Sequence, residues 1–282
     1  MLKKAKWLAA PAVVWLALFV LAPLFFIVFL SFMQRGTYGQ VVYEFTLKNY
    51  VRLFDPLYVG IFFDTLVISI LTTGYTLLIG YPLAYHIARM KPARQRTWLM
   101  LVMIPFWINF LVRSYAWVII LRAQGVVNTF LMTFGWIEQP LPLLYNSAAV
   151  QLGMVYTLLP FMVLPIYVSL EQLDRRKLEA AYDLGATPWK AFWHVTLPLT
   201  KTGVVTGSLL VFVSSIGMFV VPDIMGGAKS ALIGNVIQNQ FLSARDWPFG
   251  SALSIMLVLL AILLILLYFR ATQARPGEEG TR

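Results

Sequence analysis

Six predominantly apolar stretches, separated by short segments that hold most of the charge, run along this chain at about residues 7–33, 60–88, 98–121, 148–170, 203–221 and 249–270. At a rise of 1.5 Å per residue, each is long enough to cross roughly 30 Å of hydrocarbon, which predicts six membrane-spanning helices. The second is the least regular, interrupted by Asp64, Gly74, Gly80 and Pro82. Such breaks are tolerated where neighbouring helices satisfy the freed backbone groups. Between spans, the connections 34–57, 122–147 and 222–248 are longer than a simple turn needs, and Val126–Phe134 and Leu232–Phe241 each read as a short interfacial helix. No internal repeat is evident, and 271–282, with Pro276, Gly277 and two glutamates, reads as a disordered tail.

Composition agrees with the bilayer as solvent: 60% of the 282 residues are hydrophobic and 12% charged, well beyond the soluble norm. The expectation is an all-α, polytopic membrane protein forming a single domain over 1–282. A net charge of +10 raises nucleic acid as a partner, but the basic residues sit beside the apolar runs and no basic-aromatic module stands out. Their distribution instead sets orientation. With the N-terminus inside, inner segments hold 15 lysines and arginines, outer segments hold six, and Arg113 lies within a span. That bias predicts both termini in the cytoplasm, together with the segment 171–198. Lys3, Lys4 and Lys6 before the first run suggest a signal peptide, yet the run is long and lacks a small-residue cleavage site, so an uncleaved helix is expected. The absence of cysteine excludes disulfides, thiolate metal sites and a cysteine nucleophile.

The segment 171–198 carries the sharpest local signals. Leu170, Leu173, Leu178, Ala181 and Leu184 fall on one arc of a helical wheel, opposite Arg175, Glu179 and Asp183. Gly185 is placed to end that helix, Thr187-Pro188 to cap and start another, and Leu197-Pro198 to stop it. An ordinary loop solvated by its charges is the plainer alternative. The spacing, however, is Glu179-Ala180-Ala181, three residues, Gly185, nine residues, then Val195-Thr196-Leu197-Pro198. This resembles the EAA loop of permease subunits in binding-protein-dependent ABC importers, with valine for isoleucine at 195. The resemblance implies a type I ABC-importer permease fold in the bacterial inner membrane and a cytoplasmic loop docked on an ATPase. Glu179 would make a polar contact, Ala180 and Ala181 would pack closely, Asp183 would share the surface, and Gly185 would form the bend.

No GxxxxGK[ST] phosphate cradle is present, and Gly226-Gly227-Ala228-Lys229 is too short to serve as one. No cofactor is therefore expected on this chain, and ATP would be bound and hydrolysed by separate subunits. Neither His86 nor His194 belongs to a metal set, and no nucleophile–base constellation is found, so the expectation is a transporter component rather than an enzyme.

A second resemblance concerns cargo. Asp223-Ile224-Met225-Gly226-Gly227-Ala228-Lys229, Ile233-Gly234-Asn235-Val236-Ile237 and Arg245-Asp246-Trp247-Pro248-Phe249-Gly250 look like the spermidine/putrescine permeases. So do Pro105-Phe106-Trp107-Ile108-Asn109, Arg113-Ser114-Tyr115 and Leu158-Leu159-Pro160-Phe161-Met162. Together they run from about residue 45 to 270. The resemblance implies polyamine import and places Trp107, Trp117, Phe219 and Val220 along or at the gate of a central path. Val220 departs from the aromatic residue those permeases carry there. Carboxylates and aromatic faces suit a polycation, which adds Asp223, sharing a helical face with Phe219 if the fifth span continues that far. Interfacial anchoring of the tryptophans and a wet helix end for Asp223 are the structural alternatives. Arg113 either snorkels outward or pairs with Asp64 or Asp223; pairing is preferred, because a bare arginine would repel a polycation.

The implied partners are an ATPase dimer, a second and different permease, a periplasmic or lipid-anchored substrate-binding protein, and the lipid bilayer, without nucleic acid. The rivals are a permease of the same scaffold for phosphonate, thiamine or ferric iron, and a stand-alone secondary transporter.

Overall fold

A computed structural model of the chain describes residues 2–227 and 231–273. Apart from a two-residue antiparallel ladder of Gln34–Arg35 (β1) and Val41–Val42 (β2), the regular elements described are helices. They group into two compact units, one comprising the described residues up to Ile61 and from Val236 onward, the other spanning Phe62–Asn235.

In the first unit, α1 (Leu2–Ser31) packs along α14 (Trp247–Gln273), with the hairpin and α2 (Lys48–Arg52) gathered near the start of α14. Asp246 organises this end. Its buried carboxylate accepts from Arg52 Nη1 at 2.9 Å and from the Phe249 amide at 3.2 Å, capping α14, while Arg35 Nη1 lies 4.0 Å away. The Arg52 guanidinium also sits 3.9 Å from the centre of the Phe249 ring. Two basic residues of the 34–57 connection thus hold a helix start in place. The same feature explains why this connection exceeds the length of a simple turn.

The second unit is built around α7 (Ser147–Glu171), of whose apolar window 56% is buried, against 11–22% for the other spans. One end of α7 packs Leu158, Met162, Val163 and Ile166 against Tyr81, Ala84 and Ile87 of α3 (Pro56–Ala88) and Val211 of α11 (Lys201–Ile216). Its other end packs Ala149, Val150 and Met154 against Leu121 of α5 (Phe110–Leu121) and Val221 and Met225 of α12 (Val220–Met225). Glycines let α11 lie close on α7. A Cβ at Gly203 would stand 2.6 Å from the Pro165 carbonyl oxygen, and one at Gly207 would stand 2.9 Å from Met162 Sδ. Close backbone approach through small residues is how helices associate where lipid removes the hydrophobic drive.

Five helical stretches are long and apolar enough to span a membrane: Val14–Ser31, Pro56–Ala88, Phe110–Thr133, Ser147–Glu171 and Trp247–Leu267. A sixth follows if Pro188–Leu199 and Lys201–Ile216, bent by 65° to one another, count as one. Large apolar side chains point outward from them, as Phe25, Leu78, Leu259 and Leu266 do, which fits lipid as the solvent.

Two spans differ from expectation. The third, expected over 98–121, breaks after α4 (Pro92–Trp107), where the Asn109 side chain accepts from the Leu111 amide and starts α5. Its apolar window accordingly shifts towards α6 (Val126–Thr133). The fifth ends at Ile216 rather than Val221, and Gly217–Phe219 separates it from α12. Short helices are present where Val126–Phe134 and Leu232–Phe241 were expected to form them, as α6 and α13 (Ile233–Leu242). Ala228, Lys229 and residues 274–282 of the expected tail lie outside the described residues.

Candidate coupling loop and solute path

Residues 172–200 form the expected helix–turn–helix. The Asp174 carboxylate accepts from the Arg176 amide at 3.0 Å and caps α8 (Arg175–Asp183). At the far end Gly185 has φ +82°, its amide donates to Tyr182 O at 2.8 Å, and the Ala186 amide donates to Ala181 O at 3.0 Å. These two bonds constitute a Schellman motif, which glycine satisfies without the strain a side chain meets in the left-handed region. Thr187 Oγ1 then accepts from the Lys190 amide at 3.3 Å, and Pro188 opens α9 (Pro188–Ala191).

Beyond α9 the expectation fails in an informative way. The helix does not stop before Pro198; it widens into a π-turn over Phe192–Thr196 and runs on through α10 (Leu197–Leu199). The wider turn accommodates a proline without an amide donor, and the chain bends only at Thr200, where α11 begins. Thr200 Oγ1 donates to Thr196 O at 2.8 Å and pairs with the Tyr81 hydroxyl at 2.9 Å, which fixes the bend to α3.

Glu179, Ala180, Asp183 and Gly185 are exposed, and Ala181 is half-buried, so the five expected docking residues share one accessible segment. Leu184, on the apolar arc of the wheel, is nonetheless 89% exposed. Trp189 is 70% exposed, and with Leu184 it puts an apolar tip on a charged loop. From Trp189 the rings continue inward. Trp189 lies 6.1 Å from Phe192, and Phe192 meets Tyr81 and Tyr85 of α3 edge-on at 5.6 and 5.7 Å. A row of aromatic rings thus runs from the exposed tip to α3, which the Tyr81–Thr200 hydrogen bond joins to the bend. Under α8, a cavity of about 610 Å³ is lined by Tyr85, Arg89, Gln95, Glu171, Glu179 and Tyr182.

The expected path residues are only partly assembled. Phe219, Val220 and Asp223 come together at the start of α12, with the Asp223 amide donating to Phe219 O at 3.0 Å. Phe219 precedes that helix as its cap, so the pair shares a short separate helix and not a continued fifth span. Trp117 packs into the α5–α7–α12 cluster and meets Tyr156 edge-on at 5.5 Å. Trp107, 72% exposed at the end of α4, is not part of that cluster. Arg113 does not pair with either carboxylate. Its Nη1 donates to Pro105 O at 2.7 Å and its guanidinium lies 5.9 Å from the centre of the Tyr156 ring. A cation placed on a free carbonyl near a helix C-terminus is favourable in its own right.

The sequence profile of binding-protein-dependent transport system inner membrane components matches residues 76–274. The chain belongs to that family. This inner-membrane component is 44% identical over 259 residues to the spermidine/putrescine transport system permease protein PotB of Escherichia coli (strain K12), covering 92% of this chain and 94% of the other. Similarity to PotB of Haemophilus influenzae is the same, at 44% over 259 residues, with 92% and 91% covered. It is 32% identical over 242 residues to the inner membrane ABC transporter permease protein YdcU of Escherichia coli (strain K12), covering 81% and 75%. Among solved structures, a bacterial ABC transporter involved in the import of the acidic polysaccharide alginate superposes with a TM-score of 0.74 at 18% identity, covering 97% of this chain and 98% of that one. The chain is therefore an all-α, multi-pass permease component of an ABC importer.

Proposed function

We propose that this permease carries polyamines of the spermidine and putrescine class inward across the bacterial inner membrane. One observation carries the reading: identity of 44–45% across 92% of the chain to permeases of spermidine/putrescine transport systems. Both termini and the loop 172–200 face the cytoplasm in this reading, in line with the basic-residue bias. A pair of ATPase subunits docks on Glu179, Ala180, Ala181, Asp183 and Gly185, with Leu184 and Trp189 as apolar contacts. ATP binds there, and no cofactor binds to this chain. A companion permease, different in sequence, completes the path, and a periplasmic or lipid-anchored binding protein delivers cargo to the outer loops.

Function then follows from differential affinity. Closure of the ATPase pair favours one position of the docked loop, the ring ladder and the Thr200 bend pass that preference to α3 and α11, and the central solute path switches between inward and outward access. Trp107, Trp117, Phe219, Val220 and Asp223 are assigned to the path, with the α12 trio nearest its outer gate.

Uptake of labelled spermidine and putrescine by cells with and without the gene tests the reading. Loss on deletion, restored by the intact gene, is the expected result. Unchanged uptake in cells lacking other polyamine importers would move the cargo to another solute on the same scaffold.

A further inference from the structure

Within the second unit, a cavity of about 420 Å³ opens between α3, the start of α7 and residues 231–232. Its α3 wall is a single helical stripe of Asp64, Val67, Ile68, Leu71 and Tyr75, spaced at three, four, seven and eleven residues from the first. A neighbouring stripe of α3, Thr65, Ser69, Thr72 and Thr76, is buried and serves packing. Thr72 Oγ1 donates to Gln151 Oε1 at 2.9 Å, and Gln151 Nε2 donates to Ile68 O at 3.1 Å, which pins the α7 wall to α3. The two stripes of one helix thus have different jobs, and only the first is open.

Asp64 is the singular member. It stands eight residues into a spanning helix that starts at Pro56, about 12 Å along its axis. It is exposed on the cavity wall, and the ion pairs among the described residues converge on Asp246 instead. Arg113, expected to pair with Asp64 or Asp223, donates to Pro105 O. An ionised carboxylate facing hydrocarbon is strongly disfavoured, so an intramembrane aspartate faces water, a partner or cargo. Tyr75 offers a half-open ring on the same wall, about 16 Å further along the helix. A charge at one end and a π-face at the other suit an elongated cation with separated ammonium groups better than a compact ion.

We propose that this cavity is a cation subsite of the solute path, with Asp64 pairing one ammonium group and the Tyr75 ring covering another. The proposal rests on the polyamine reading above. It adds a carboxylate to the path, on a helix that contributed no path candidate from sequence.

The chain has no cysteine, so Asp64→Cys introduces a unique thiol in this subunit. In the assembled transporter, reconstituted with its binding protein, that thiol is expected to react with a charged, water-soluble methanethiosulfonate. Spermidine delivered by the loaded binding protein should slow the reaction. Asp64→Asn should lower maximal spermidine uptake about tenfold, as for loss of one charge-assisted contact, while Asp64→Glu keeps most of it. Reaction only with an apolar maleimide would place the position in lipid, and reaction with neither reagent would bury it against the companion permease; both overturn the subsite. Normal spermidine import by Asp64→Cys with its thiol unprotected by cargo, or undiminished import by Asp64→Asn, sinks the subsite alone. An intact transporter that imports no polyamine sinks the functional reading and the subsite together.

Discussion

Replacement of Gly185 separates backbone geometry from bulk at the coupling loop. A Cβ at this position meets no atom within 4 Å, so any cost of Gly185→Ala comes from φ +82° and not from a clash. The left-handed region costs a non-glycine residue about 1–2 kcal/mol, and asparagine, which tolerates that region, less. Proline is a different perturbation. Its φ near −65° is incompatible with the turn, and it deletes the Gly185 amide that donates to Tyr182 O at 2.8 Å. Losing that bond and the adjacent Ala186–Ala181 bond removes about 1–3 kcal/mol, beyond the strain of rebuilding the turn. The expected order of ATPase capture and ATP-driven uptake is therefore Gly, Asn, Ala, then Pro far below. The 1–2 kcal/mol of strain limits the alanine loss to about five- to thirtyfold. The assay is co-purification of the ATPase with the permease in detergent, alongside uptake at matched membrane levels. Full uptake by Gly185→Pro would refute the role of the turn, and an alanine variant as weak as the proline variant would show that φ is not the controlling quantity.

Three further outcomes follow from contacts elsewhere. Gly203→Val should lower thermal stability in detergent by about 1–3 kcal/mol, because its side chain meets the Pro165 carbonyl at the α7–α11 contact; an unshifted melting temperature would mean that the helices separate at little cost. Asp246→Ala should destabilise the first unit by about 2–3 kcal/mol through loss of the α14 cap and the Arg52 bond, with Asp246→Asn recovering part; equal melting of the Ala and Asn variants would argue against the cap. Trp189→Ala should leave insertion intact and weaken ATPase capture about tenfold or more, as for a buried interface aromatic, and unchanged capture would remove Trp189 from the docking surface.

What could be read from the sequence was the chemistry that acts locally. Gly185, Thr187 and Pro188 each carry a backbone preference that needs no distant partner, so the cap, the bend and the second helix start were legible. Hydropathy placed the apolar stretches but missed the break at Trp107–Asn109, because an asparagine cap does not alter a window average. Pro198 misled for a related reason: the rule that proline ends a helix omits the π-turn that absorbs it. Leu184 fell on the right arc of the wheel, yet it is solvent-facing, since a wheel records periodicity and not which face the chain covers. Arg113 was assigned a carboxylate partner when the nearest acceptor was a carbonyl exposed by a helix end. The Gly203–Gly207 spacing was visible throughout; its meaning depended on knowing that α7 lies opposite.

The seating of those two glycines on Met162 and Pro165 also bears on how such permeases can be recombined. The coupling loop is flanked by α7 and α11, and their backbones touch where it leaves and rejoins them. A graft that exchanged 172–200 alone would carry the docking tip but leave it anchored in a foreign helix pair, with the Thr200 bend set against the wrong wall. The natural unit of exchange is the whole hairpin, Ser147 through Ile216, so an ATPase preference moved between relatives should travel only with both of its flanking helices.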